Sequence, residues 1–544
     1  MSPTYRFINQ LLLTTIVVLL FSCQPAEKEK KVVGTAPNII YIMADDMTTQ
    51  AISIYENGIY DDIAPTPNMD RLAKEGMLFQ NVMCTNAICG PSRAAILTGD
   101  YSHVNGYYKN HNGGQLDPTK WTFPQAFQEN GYQTSLFGKW HLGSEPVGFD
   151  EFKFHMEAGQ QGLYWDPVYN HNGERAEEEG YATNLTTDFA LDWLNNQRDK
   201  EKPFLMLLQY KAPHRAWEPD TKYEMLWEDI DMPYPANFDD DYAGRELTMG
   251  DTDMTMDFLS RTDMKMTPPE GLSPEELLRW RFYGVQRGEI VDPEGLGEEE
   301  GRKWRYQKYI KDYLACIKSV DDNIGRVLDF LDETGLSENT MVVLTSDQGF
   351  YLGEHNFFDK RFIYEESLRM PFMVRYPGHV KAGSVNEDVI ANVDFAPTLL
   401  EVAGIETGQK MHGRSFASAL EGSSDENWRQ SIYYHYYEFP FWHHVQPHYG
   451  IRTDKFTLAH FYYSIDVWEL YDLEKDPSQM NNIINDPAYA EVVEDLKAQI
   501  SELQTAYGDE LDLEAYREIS DKNFGTINGK DRNLDDLLEK DQAK

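Results

Sequence analysis

The sequence predicts an α/β fold in which helices sandwich a large, mostly parallel sheet, with a smaller C-terminal α+β subdomain that contains an antiparallel sheet. Continuously apolar segments, typical of strands covered on both faces, alternate with helical segments and so predict the large sheet. From about residue 430 the segments become short and rich in aromatic or β-branched side chains, which predicts the antiparallel strands.

Four apolar segments predict the buried strands of the large sheet. They are NIIYIMADD, which starts at Asn38, and residues 134–138, 203–210 and 340–347. Between the last two, residues 305–334 have apolar side chains at every third or fourth position, which predicts a long helix. Gly335 follows as a stop signal.

The change in sequence texture along the chain predicts five regions. These are a lipoprotein-type signal peptide at 1–22, a linker at 23–36, a main domain at 37–429 with an acidic insertion at 217–304, a C-terminal subdomain at 430–519, and a charged tail at 520–544. The subdomain combines the antiparallel strands with a helix near 486–506.

The first 23 residues predict export from the cytoplasm. An apolar segment follows Arg6 and ends in LFSC, where a small residue directly before Cys23 resembles the lipobox of bacterial lipoproteins. We therefore expect a protein of the periplasm or outer membrane whose only membrane attachment is a lipid at Cys23. Ordinary cleavage nearby without lipidation is the alternative.

The charge of the chain narrows the range of partners. A formal net charge of -42 opposes binding of nucleic acid or anionic membrane surfaces through bulk electrostatics. No nucleic-acid partner is expected. An anionic substrate would have to be attracted by a local basic pocket or a metal ion.

Oxygen ligands follow two of the predicted strands. Asp45 and Asp46 come at the end of the first strand, and Asp347 and Gln348 come at the end of a much later one. The carboxyl ends of parallel strands meet at one edge of a sheet, where three carboxylates would repel one another unless a cation lay between them. Hard oxygen ligands without His or Cys favour calcium or magnesium over zinc, and we expect one Ca²⁺ per chain, with Mg²⁺ second. The alternative is that each acid caps a following helix.

Cys89 lies at the predicted start of a helix and has three interpretations. It could be a small buried apolar residue, or a thiolate activated by the helix N-terminus and Arg93. The third interpretation comes from the surrounding motif.

Of the other cysteines, Cys84 and Cys316 could form a disulfide or could both be buried thiols.

The segment CGPSRAAILTG, with Cys89, Pro91, Ser92 and Arg93, resembles the Cys-x-Pro-Ser-Arg signature of type I sulfatases. These are the formylglycine-dependent sulfatases of the alkaline-phosphatase-like superfamily. Similar segments follow in the family's order over most of the chain: GKWHLG with Lys139 and His141, YKAPHRAW with His214, TSDQG with Asp347 and Gln348, and GEHNFFDKRF with Lys360. Gln348 departs from the family, where Asn or His is commoner, but it still offers an oxygen ligand.

The resemblance implies a sulfuric ester hydrolase. Cys89 would be oxidised to formylglycine by a formylglycine-generating or anaerobic sulfatase-maturating enzyme, and one hydroxyl of the hydrated aldehyde would attack sulfur. The cation would be held by Asp45, Asp46, residue 89, Asp347 and Gln348, and would stabilise the developing charge.

The resemblance also implies a role for each basic residue. Arg93 would orient the hydrated aldehyde, with Lys139 and His141 on the same side and His141 accepting its proton. Lys360 and His214 would clamp the sulfate, and His214 could protonate the departing sugar oxygen. His355 is expected either to be structural or to contact the site residues without touching the substrate.

The expected substrate is a sulfated polysaccharide or oligosaccharide. The C-terminal stretch resembles sulfatases that act on glucosamine 6-sulfate in glycosaminoglycans. It also resembles sulfatases that act on algal glycans such as ulvan. The acidity of the chain favours an algal glycan. Several aromatic residues either line a sugar subsite or pack the subdomain: Trp442, His443, His444, His448 and Tyr449.

Two alternative functions remain open at this stage. A phosphodiesterase or phosphonate hydrolase of the same superfamily would often hold two metals with additional His and Asp ligands. A lipoprotein that binds sulfated glycans without turnover would leave Cys89 unmodified.

Overall fold

The computed structural model describes residues 36–56, 58–110, 114–250, 252–259, 263–265, 277, 295–423, 425–439, 443–509 and 514. The predicted signal peptide, Cys23, Trp442 and the charged tail lie outside these residues, as do most of the linker and part of the insertion. Among the described helices, none combines the length and apolar character needed to cross a bilayer.

The large sheet has eleven strands. They are β1 (Asn38–Ala44), β2 (Met77–Met83), β3 (Gln133–Gly138), β4 (Glu151–His155), β5 (Val168–His171), β6 (Glu174–Glu177), β7 (Phe204–Tyr210), β8 (Thr340–Ser346), β9 (Arg369–Arg375), β10 (Ser384–Asn386) and β11 (Ile390–Ala391). Their order is β10-β2-β9-β8-β1-β7-β3-β4-β5-β6, and β11 also pairs with β2.

The centre of this sheet is parallel. β1 pairs in parallel with both β7 and β8, and β3 pairs in parallel with β7. Ala44 lies opposite Ser346 on one side and Tyr210 on the other, so the carboxyl ends of these strands form one edge. Antiparallel pairs occur where β9 joins β8 and β2, and along β4, β5 and β6. The prediction of a large, mostly parallel sheet is confirmed.

Most of the described helices cover the faces of this sheet or connect its strands, whereas the last one packs against the small antiparallel sheet. They are α1 (Pro67–Lys74), α2 (Cys89–Thr98), α3 (Ser102–Asn105), α4 (Phe123–Glu129), α5 (Glu157–Gln160), α6 (Ala182–Asp192), α7 (Glu298–Thr334), α8 (Glu365–Leu368), α9 (Phe395–Val402), α10 (Ala417–Leu420) and α11 (Ala490–Tyr507).

The long predicted helix is α7, and it begins earlier than the apolar pattern indicated. Its first turn is acidic, which stabilises a helix N-terminus and leaves no apolar signal in the sequence. Its predicted apolar face is buried in the core, and Gly335 ends it with φ 73°.

A separate antiparallel sheet follows, as predicted for the C-terminal part. It consists of β12 (Ser431–Tyr436), β13 (His448–Thr453), β14 (Phe456–Phe461) and β15 (Val467–Asp472), in sequential order. Helix α11 buries Val493, Leu496 and Ile500.

The described part of the insertion consists mainly of turns that pack against α7. Trp217 is fully buried beside Tyr309, and the side chain of Gln307 bonds both the N–H and the C=O of Met232.

Cys84 and Cys316 are both free, buried thiols, so the disulfide alternative is wrong.

Candidate active site

Three carboxylates meet at the edge formed by β1 and β8. Asp45 and Asp46 follow β1 directly, Asp347 follows β8, and the backbone N–H of Asp46 donates to Asp347 Oδ1 at 3.1 Å. All three side chains are completely buried. The parallel register of the two strands is what brings residues that are about 300 positions apart together.

Three buried cations pair with these carboxylates. Arg93 Nε donates to Asp347 Oδ2 at 2.9 Å and Arg93 Nη2 donates to Asp45 Oδ1 at 3.3 Å. Lys139 pairs with Asp45, and Lys360 Nζ lies 2.6 and 2.7 Å from the two oxygens of Asp46. Buried charges persist when they are paired in this way.

Cys89 lies inside this cluster, at the first residue of α2. Its Sγ is 3.9 Å from Asp46 Oδ1, and it is 1% exposed. Burial, reinforced by Asp45, raises the pKa of the thiol well above its ordinary value. The unmodified residue is therefore a neutral thiol, which argues against the thiolate interpretation.

The residues around Cys89 could hold a metal ion. Ligand atoms of Asp46, Cys89 and His214 lie within 4.8 Å of one another, as do those of Asp45, Cys89 and Asp347. Gln348 donates its amide N–H to Asp46, while its Oε1 is buried and has no hydrogen-bond partner among the described residues. An unpaired buried oxygen beside three carboxylates fits a cation that prefers oxygen ligands.

Charge compensation within the cluster is uneven. Burial opposes ionisation of Asp45, but Lys139 and Arg93, which both pair with it, outweigh burial and hold the pKa of this carboxyl well below its usual value. Burial raises the pKa of Asp46 to about 6 and that of Asp347 to about 7. The protein's own cations therefore stabilise Asp45 far better than its two neighbours.

His141 belongs to the loop that follows β3 and carries Lys139. Its Nε2 lies 2.8 Å from the amide nitrogen of Gln161, and its buried Nδ1 has no hydrogen-bond partner among the described residues. Burial and the nearby Lys139 hold the pKa of His141 well below its ordinary value, so the ring is neutral.

His214 follows β7 and reaches the cluster from the other side. Its Nδ1 donates to the carbonyl of Arg215 at 2.8 Å, and its Nε2 lies 3.8 Å from Asp46 Oδ2. Lys211 donates to the same carbonyl at 3.2 Å. Burial and Lys139 hold the pKa of His214 well below its ordinary value.

The described aromatic residues that were predicted either to line a sugar subsite or to pack the subdomain fall into two groups. His443 contacts Asp253 at 2.8 Å and Asp359, the neighbour of Lys360, at 3.3 Å, so it lies close to the site. His448 is fully buried and stacks on Phe461, and Tyr449 bonds His460, so both pack the subdomain. His355 is buried against Asp240, as expected for a structural residue.

The structure brings together the ten residues predicted to be catalytic or metal-binding, and it adds some that the motifs did not single out. Gln209 Oε1 accepts from Arg93 Nη1 at 2.8 Å, and Asn110 Oδ1 accepts from the N–H of Gly90 at 3.1 Å. Gln161 contacts both Lys139 and His141. Gln161 lies in GQQG at 159–162, which is neither a strand end nor part of any motif, so the sequence does not mark it.

Comparison with known proteins identifies the family. Residues 37–405 match the family described as Sulfatase, and residues 353–506 match the family described as N-sulphoglucosamine sulphohydrolase, C-terminal. The first match covers more than half of the chain. The chain therefore belongs to the sulfatase family, and it is a sulfuric ester hydrolase with the alkaline-phosphatase-like fold.

Individual relatives agree with this assignment. The chain is 43% identical over 523 residues to an N-acetylglucosamine-6-O-sulfatase of Bacteroides thetaiotaomicron, which covers 92% of this chain and 91% of the relative. It is 26% identical over 534 residues to an ulvan-active sulfatase of Formosa agariphila, which covers 93% and 90%.

A solved structure is similar to this chain in both fold and sequence. It is a complex with its substrate D-glucosamine-2-N,6-O-disulfate, with a TM-score of 0.81 and 43% identity, over 88% of this chain and 99% of that one.

Proposed function

We propose that this sulfatase removes 6-O-sulfate groups from glucosamine units of glycosaminoglycan oligosaccharides, using formylglycine at position 89 and one bound calcium ion. The 43% identical relative named for N-acetylglucosamine 6-sulfate supports this substrate over an ulvan-type glycan, whose named relative is only 26% identical. The solved complex with a 6-O-sulfated glucosamine, whose protein is also 43% identical to this chain, supports the same substrate.

One observation carries the proposal: Cys89 lies buried between three carboxylates and three cations at the end of the parallel strands. A sulfate ester is an anion, and a chain of net charge -42 repels it at long range. Arg93, Lys139 and Lys360 supply positive charge where the reaction would occur. Prearranged cations stabilise a multiply charged transition state strongly in a buried site.

The protein's own side chains divide the remaining work. Arg93 is held rigidly by Asp45 and Asp347 and would orient the modified residue 89. Lys360 and His214, which both contact Asp46, would hold the sulfate. Since Nδ1 of His214 donates to a backbone carbonyl, Nε2 is the ring nitrogen that faces the site, and it would have to take up a proton before it could protonate the sugar oxygen.

Asp45, Asp46, Asp347 and Gln348, with residue 89, would hold the calcium ion. When bound, the ion would supply positive charge at the sulfate and the hydrated aldehyde would supply the nucleophile. Mg²⁺ is the less favoured ion because it demands a stricter octahedral geometry.

The cellular setting is part of the same proposal. An exported lipoprotein attached through Cys23 in the periplasm or outer membrane would act in polysaccharide degradation. Its Cys89 would be converted by a formylglycine-generating or anaerobic sulfatase-maturating enzyme before or during export.

Product release from a defined panel tests the substrate and the reaction class, with inorganic sulfate measured for the sulfated sugars and the released alcohol measured for the phosphodiester. The panel contains N-acetylglucosamine 6-sulfate, D-glucosamine-2-N,6-O-disulfate, a sulfated ulvan oligosaccharide and an activated phosphodiester, each with wild type and C89A. We expect the two glucosamine substrates to give the highest kcat/KM and C89A to be inactive. A preference for ulvan would overturn the substrate assignment, and a preference for the phosphodiester would overturn the reaction class.

A further inference from the structure

Two consecutive glutamines contact the loop that carries Lys139 and His141. Gln160 binds only the backbone of this loop, where its Oε1 accepts from the N–H of Gly143 at 3.0 Å and its Nε2 donates to the carbonyl of Ser144 at 3.4 Å. Gln161 instead contacts the side chains of Lys139 and His141. The two neighbours therefore differ in what they can control.

The orientation of the Gln161 amide follows from Lys139. The ammonium group of Lys139, paired with Asp45, has donors and no acceptor, so the amide atom that it contacts must be Oε1. The amide nitrogen then points at His141 Nε2, 2.8 Å away. Because an amide NH₂ can only donate, His141 Nε2 must be the acceptor.

This contact determines where His141 carries its proton. A neutral imidazole has one N–H and one unprotonated nitrogen. With Nε2 accepting from Gln161, the proton must be on Nδ1. That nitrogen is buried and has no hydrogen-bond partner among the described residues, so it is available to an oxygen atom that enters the site.

We propose that Gln161 is a positioning residue that fixes His141 in the Nδ1–H tautomer and so makes it a hydrogen-bond donor in the active site. The inference rests on the proposed function, in which the acceptor is an oxygen of the sulfate ester or of the modified residue 89. The family resemblance implied that His141 accepts a proton. The unprotonated nitrogen, however, is occupied by the Gln161 amide.

The turn that carries Gln161 has an unusual backbone conformation. It follows β4, and its residues Ala158, Gly159 and Gln160 all have positive φ, between 49° and 69°. A Cβ on Gly162 would lie 2.4 Å from the ring of His155, so only glycine allows the chain to pass over that buried histidine. Positive φ at consecutive positions persists where the surroundings enforce it.

Nitrogen NMR on the full-length exported protein reads the tautomer directly. The protein is labelled with ¹⁵N-histidine, the resonances of His141 are identified by their absence in H141N, and no substrate is added. We expect a protonated Nδ1 and an unprotonated Nε2. A protonated Nε2 in the wild type would overturn the proposal without bearing on whether the enzyme releases sulfate.

Two variants of the turn separate this role from a purely structural one. Q161E replaces the donor by an acceptor, so the proton of His141 should move to Nε2, and kcat should fall about 10²-fold with KM within about two-fold. Q160E, the matched control, should keep the Nδ1–H tautomer. Identical spectra for Q161E and wild type, or the same tautomer change in Q160E, would contradict the assignment.

Discussion

Lys360 contacts both carboxylate oxygens of Asp46, at 2.6 and 2.7 Å, and is almost completely buried. Replacing it by Met removes one of the three cations around Cys89. We expect kcat/KM for a 6-O-sulfated glucosamine to fall about 10²–10³-fold, since a charge aimed at the transition state is lost. Steady-state sulfate release measures this.

The control for this variant is K455M, which removes an exposed lysine that pairs with Glu474 on the surface. It should leave kcat/KM within about two-fold, because exposed ion pairs contribute little. Activity of K360M within tenfold of wild type would show that Lys360 does not act on the sulfate.

Residue identities at the site were predictable where they follow strands or form a dense motif. Asp45, Asp46 and Asp347 were placed by the rule that ligands collect at the carboxyl ends of parallel strands. Gln161 and Gln209 were not predicted. Each contributes one amide to a contact that depends on loop geometry or on which face of a strand turns toward Arg93, and neither property has a sequence signal of its own.

At the scale of the element, the close approach of β3 to β7 determines the position of the backbone at Lys139. Gly138 ends β3 with φ 104°, and a Cβ there would lie 1.9 Å from the carbonyl oxygen of Gln209 in β7. We expect G138A to separate the two strand ends, lower the thermal midpoint clearly and reduce kcat, because the next residue is Lys139.

Gly131 provides a matched control for that variant. It has φ 85°, but a Cβ there would meet no atom within 4 Å. G131A should lower the free energy of unfolding by only about 1 kcal/mol, which is the cost of placing alanine at a positive φ. Equal losses of stability and activity in G131A and G138A, measured by thermal unfolding and sulfate release, would contradict a role for the close strand contact.

Elements were predictable to the extent that burial on both faces leaves a continuous apolar segment. β1, β3, β7 and β8 were found in this way. The start of α7 and the strands β4 and β6 were not, because acidic or half-exposed positions there carry no continuous apolar signal.

At the scale of the whole molecule, buried neutral histidines link folding stability to pH. Burial lowers the pKa of both His155 and His448 from 6.5 to about 3. Between these values the unfolded chain binds more protons than the folded chain, so the two groups stabilise the fold above pH 6.5 and lose that contribution as the pH falls. Each contributes a slope of about 1.4 kcal/mol per pH unit.

Denaturant unfolding of wild type and H155Q/H448Q between pH 6 and pH 4 checks this linkage. The double variant should show a shallower loss of unfolding free energy with acidification, by about 2.7 kcal/mol per pH unit, whatever its stability at pH 7. Parallel curves for the two proteins would show that these histidines are not the groups that bind protons on unfolding.

The central claim is that residue 89 performs the reaction, and mass spectrometry of the tryptic peptide 75–93 tests it most directly. This peptide contains Cys84 as an internal reference beside Cys89. In preparations with different degrees of maturation, we predict an aldehyde at residue 89 alone and sulfate release in proportion to the converted fraction. Full sulfate release by protein whose Cys89 is unmodified would contradict the account.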